Sequence, residues 1–121
     1  MKLFATIMIV LVALEHIFIL WVEMFAWTTK GKAIFNALPD DMYDRTKVMA
    51  ANQGLYNGFL AAGLIWSLCI EDAMWSKNIA LFFLACVVVA GLYGGTTVSK
   101  AIILKQALPA AIALLAVILW F

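Results

Sequence analysis

Three ionisable side chains interrupt the first apolar run of the sequence: Glu15, His16 and Glu23. A carboxylate at bilayer depth costs at least about 2.5 kcal/mol on insertion scales, and such groups face a protein interior rather than lipid. At about 100° per residue, His16 and Glu23 fall within roughly 20° of each other, and Trp27 continues their stripe. Glu15 points roughly 100° away from His16, on the side of Val22 and Ala26. Carboxylates beside an imidazole in apolar surroundings suit two kinds of chemistry: holding a cation or polar head, and moving protons.

A second polar set follows in Asn52-Gln53-Gly54-Leu55-Tyr56-Asn57-Gly58. Asn52 and Tyr56 are four apart, as are Gln53 and Asn57, so on a helix they form one broad polar stripe. Amides both donate and accept hydrogen bonds, which makes them natural partners for carboxylates and an imidazole. The expected ligand-binding or proton-linked set is therefore Glu15, His16, Glu23, Asn52, Gln53, Tyr56 and Asn57. Its opening is expected toward the cytoplasmic side, where Thr96, Thr97 and Gln106 fall at similar depth. No cofactor or metal is expected. Di-iron bundles use Glu-x-x-His with glutamates on partner helices, whereas Glu15 and His16 are adjacent and diverge, and the second run offers amides. Cys69 and Cys86 sit in apolar runs and read as small buried hydrophobes. A single His with no nucleophile beside it argues against hydrolytic covalent catalysis.

The elements that must position these residues are membrane helices. Of the 121 residues, 67% are hydrophobic and 12% charged, against roughly half and about a quarter in soluble domains. That excludes a soluble globular domain and a disordered chain. A net charge of +1 leaves no basic patch for nucleic acid. The length excludes a large transporter in one chain. A span needs about 20 apolar residues, and the expected spans are 3–27, 48–70, 79–98 and 101–121. The apolar part of the last starts at Ala107, and it extends back to Ala101 if Lys105 snorkels. Lys2 and the run after it mimic a signal peptide, but Glu15, His16 and Glu23 follow and no small-x-small site does, so the span is read as retained.

The links are short. Residues 28–47 form the longest, carrying Lys30, Lys32, Asp40, Asp41, Asp44, Arg45 and Lys47. Within it Leu38-Pro39-Asp40-Asp41 reads as the start of a short amphipathic helix. Short links imply antiparallel neighbours, so the expected fold is all-α, an integral-membrane up-down four-helix bundle. Lys and Arg concentrate in the first and third links, which places those links in the cytoplasm and both termini outside. Trp21, Trp27, Trp66, Trp75 and Trp120 lie near span ends and read mostly as interface anchors. Ala50, Gly54, Gly58 and Ala62 form one small-residue groove, and Gly91 with Gly95 another. Either could serve a homodimer; membrane lipid is the other expected partner, together with a small amphipathic ligand.

The strings Ala13-Leu14-Glu15-His16, Glu23-Met24-Phe25-Ala26-Trp27 and Ala51-Asn52-Gln53-Gly54-Leu55-Tyr56-Asn57-Gly58 resemble the domain of unknown function 1304 family. Tyr93-Gly94-Gly95-Thr96 and Gln106-Ala107-Leu108-Pro109-Ala110 are similar too. The resemblance covers nearly the whole chain and implies a small bacterial four-helix inner-membrane protein. It implies no activity. From the residues themselves, three readings stand side by side. The leading one binds, and in an oligomer moves, a small amphipathic or cationic ligand. A second is a membrane-embedded acid-base enzyme, such as an isomerase acting on a lipid or terpenoid. The third is a structural or assembly subunit whose polar cluster only fixes packing.

Overall fold

A computed structural model describes residues 1–121. The chain is helical throughout and contains no strand. Helix α1 spans Lys2–Phe25, α2 Lys30–Phe35, α3 Asp40–Arg45, α4 Lys47–Cys69, α5 Ala73–Thr97 and α6 Leu108–Trp120. A π-helical turn at Ile103–Ala107 runs directly into α6. Three helices are long and apolar enough to cross a membrane: α1, α5, and the continuous Ile103–Trp120 stretch. Helix α4 is long enough at 23 residues, but Asn52, Gln53 and Asn57 keep it less apolar than the others. The sequence reading takes residues 48–70 as the second span.

Helix α1 packs on α4 and on α6, and α5 packs on the same two. The long helices therefore close a ring. Its antiparallel sense follows from contacts at matching ends. Phe4 meets Trp120 edge-on at 5.9 Å, Ser76 donates to the Ser67 carbonyl at 2.7 Å, and Lys77 reaches the Ile118 carbonyl at 3.1 Å. The interior holds Ile9, Val12, Leu64, Leu84, Val87 and Val117, interleaved with alanines that let the helices approach. Only 27 of 121 residues are buried, so most of the apolar side chains, including Leu3, Leu11, Phe82 and Val89, face outward. Soluble monomers seldom expose apolar surface on that scale.

Glycine rows set two of the helix seams. A Cβ on Gly54 would lie 2.8 Å from Met24 Cγ and 3.2 Å from the Leu20 carbonyl oxygen, and one on Gly58 would strike Leu20. A Cβ on Gly91 would lie 2.7 Å from the Ala107 amide nitrogen, and one on Gly95 would strike Ile103. Both grooves are thus filled by helices of the same chain.

The first link folds back on the end of α1. Pro39 caps α3 and Asp40 and Asp41 occupy its first turn, where acids favour the positive end of the helix dipole. Trp27 stacks against Tyr43 at 5.0 Å and Phe35 at 5.6 Å. Its Nε1 donates to Thr46 Oγ1 at 3.0 Å. Trp27 is therefore a clamp on the link, while Trp21, Trp66, Trp75 and Trp120 stay partly exposed as anchors would.

Candidate functional site

The π turn decides which way Gln106 faces. The Leu108 amide bonds to the Ile103 carbonyl, five residues back instead of four. Pro109 has no amide to offer the Lys105 carbonyl, so the α-helical ladder is already interrupted there. The wider turn needs room on its packed side, and Gly91 and Gly95 supply it. Gln106 then reaches across to α1, with its Nε2 3.3 Å from His16 Nε2.

His16 is completely buried. Its Nδ1 lies 2.8 Å from the Val12 carbonyl oxygen. A carbonyl can only accept, so Nδ1 carries the proton and donates; Nε2 is left to accept from the Gln106 amide. Both ring nitrogens are engaged, and the ring ties α1 to the π turn. Glu23, only 4% exposed, accepts a short hydrogen bond from Asn57 Nδ2 at 2.7 Å. This bond ties α1 to α4 beside the Gly54 contact. Glu15 differs from both: it is half-buried and receives no hydrogen bond from another side chain or from the backbone.

The rest of the expected set does not join them. Asn52 is exposed and donates to the Val48 carbonyl of its own helix at 3.1 Å. Gln53 is exposed. Tyr56 is exposed and packs edge-on against Phe59 at 5.7 Å. The physical reason lies in the glycine row: α4 turns Gly54 and Gly58 toward α1, and Asn52 and Tyr56, two residues to either side of Gly54, fall about 200° around the helix from it. Only Asn57 stands close enough to that seam to reach α1. No three His, Cys, Asp or Glu side chains converge as a metal would require. Every buried side-chain nitrogen and oxygen has a partner. Two open surface depressions are lined by none of the expected residues. One, of about 450 Å³, includes Thr96, Thr97, Ser99, Lys100 and Ile103. The other, of about 550 Å³, is an apolar strip of α5 from Phe82 to Tyr93.

Residues 10–118 match the family model described as Protein of unknown function (DUF1304). The chain belongs to the DUF1304 family. It is 34% identical over 109 residues to the uncharacterized protein YpaA of Lactococcus lactis subsp. lactis (strain IL1403), covering 88% of this chain and 89% of that relative. No solved structure matches significantly. The matched stretch of this DUF1304 chain contains Glu15, His16, Glu23, Asn57 and Gln106. The sequence spacing leaves Gln106 outside the expected polar set, and the structure brings it to His16. The available clue is Pro109 three residues on: a proline there marks a broken ladder, and hence a face shifted from ordinary helical periodicity.

Proposed function

We propose that this DUF1304 protein is an integral protein of the bacterial inner membrane, an up-down four-helix bundle with both termini outside, that binds a small amphipathic or cationic ligand. Glu15 carries the reading. A carboxylate half-buried midway along an apolar helix, given no hydrogen bond by its own chain, takes its partner from outside the chain, and a cationic head in an apolar setting is the matching chemistry. The membrane part of the reading is supported by three helices long and apolar enough to cross and by the outward-facing apolar side chains. The orientation rests on the concentration of Lys and Arg in the first and third links. His16 lies next to Glu15 on α1 and ties the helix to the π turn that leads into α6. Transport, in a chain this short, requires an oligomer.

A packing role is favoured for the other acid by a specific observation. Glu23 is enclosed and already bonded to Asn57, which makes that pair an interhelical clasp rather than a ligand contact. The test uses purified protein in micelles. Dodecylammonium is expected to raise the unfolding temperature of the wild-type chain and to leave Glu15→Gln unmoved, while dodecanol moves neither. Equal stabilisation by amine and alcohol, or an undiminished response in Glu15→Gln, would overturn the assignment of the ligand to Glu15. Native mass spectrometry of the untreated protein reports any ligand retained on purification.

A further inference from the structure

We propose that the π-helical turn Ile103–Ala107 is a gate, and that the open depression at the end of α5 is the mouth leading through it to His16. The inference builds on the ligand reading by naming the route to the same level of the bundle. One turn of chain carries both a wall residue of the depression, Ile103, and the partner of the buried ring, Gln106. Ile103 forms part of the depression's wall and seats its side chain on Gly95. Gln106, in the same turn, caps His16 Nε2, and Ala107 closes the layer beneath by resting its backbone on Gly91. On the outer side the mouth is polar, with the hydroxyl side chains of Thr96, Thr97 and Ser99 and the Lys100 ammonium.

A π turn is a helix with one residue more than the α ladder holds, and such turns recur where a helix must rearrange in function. Tightening this turn to α geometry rotates Gln106 off His16 and withdraws Ile103 from Gly95. Both seals break in one movement. The seals themselves are slight: one long hydrogen bond of 3.3 Å and the contact of a single aliphatic side chain with a glycine. Pro109 keeps the α form the minor one, because in α register its ring crowds the Lys105 carbonyl and its missing amide leaves that carbonyl unpaired. The α1–α4 seam has no comparable feature, being an unbroken pair of helices joined by a short Glu23–Asn57 bond.

The single histidine of the chain makes the route measurable. Diethyl pyrocarbonate acylates an unprotonated imidazole nitrogen, here Nε2, the atom that Gln106 covers. Modification of a buried group tracks the population of the open form. Full-length protein in liposomes is treated with the reagent, and the mass of the His16 peptide is followed with time. Ile103→Ala is expected to raise the rate about tenfold, and Leu20→Ala, which thins the α1–α4 seam instead, to change it by less than about twofold. An unchanged rate in Ile103→Ala, or an equal increase in Leu20→Ala, would overturn the route. A second measurement does not depend on a core substitution. In a Cys69→Ala, Cys86→Ala background, Thr97→Cys coupled to a bulky maleimide is expected to slow His16 modification severalfold, and an unaltered rate would overturn the proposal. No ligand enters either measurement, so failure here leaves the assignment of a ligand to Glu15 standing, and failure of that assignment leaves the route standing.

Discussion

Two glycine-lined seams hold the long helices together, and they use the absence of a side chain for different ends. At the α1–α4 seam, Gly54 and Gly58 receive the side chains of Leu20 and Met24. Two regular helices interlock, and the Glu23–Asn57 bond fastens them. At the α5–α6 seam, Gly91 receives the backbone of Ala107 itself, because the π turn bulges toward α5. At Gly58 an added methyl is absorbed, since the Leu20 side chain can rotate aside. At Gly91 it is not, since the methyl meets the Ala107 main chain. The irregular seam is also the one whose helix reaches the buried imidazole.

The largest contrast is expected from alanine at the two glycines. Gly91→Ala forces a methyl against the Ala107 main chain and is expected to cost about 3 kcal/mol, measured by thermal unfolding in micelles. A cost equal to that of Gly58→Ala would erase the distinction between the seams. Next in size is Asn57→Ala, which strips the enclosed Glu23 carboxyl of its donor and is expected to cost about 2 kcal/mol. Glu23→Gln, which keeps an acceptor oxygen toward Asn57, is expected to cost less than half as much in the same assay. Gln106→Leu removes a longer bond between helices, and about 1 kcal/mol is expected. Its sharper readout is the ¹⁵N resonance of His16 Nε2, which must move when its only partner is gone; a stationary resonance would mean that Gln106 does not cap the ring. The smallest effect is reserved for Gly58→Ala, about 0.5 kcal/mol, because only the Leu20 side chain has to turn aside.

Much of this arrangement is legible in the residues. The apolar runs mark the long helices, and Pro39-Asp40-Asp41 marks the start of α3. Membership of the DUF1304 family follows from strings that the polar residues themselves single out. The candidate site is only half legible. Spacing puts Asn52, Gln53, Tyr56 and Asn57 on one stripe of α4, but a stripe of that breadth spans more than one face, and spacing does not say which edge is packed. The glycine row does say so, and it turns Asn52 and Tyr56 away from α1. Gln106 escapes for a different reason. Facing angles counted at 100° per residue fail across a π turn, and the shift is large enough to bring a residue from beside a groove into contact with the opposite helix. Trp27 reads as an anchor by position, yet its indole is claimed by Thr46, Tyr43 and Phe35 because the link folds back over it.

The Glu23–Asn57 bond makes α1 and α4 depend on each other. Alone, α1 would hold the Glu23 carboxyl without its donor, and α4 would present the Gly54 face with nothing to fill it. Each supplies what the other lacks, since Asn57 satisfies Glu23 and the Gly54 face receives α1. The two helices are therefore complete only as a pair, and neither keeps its seam without the other. The link between them, held by the Trp27 contacts to Thr46, Tyr43 and Phe35, makes that pair one hairpin.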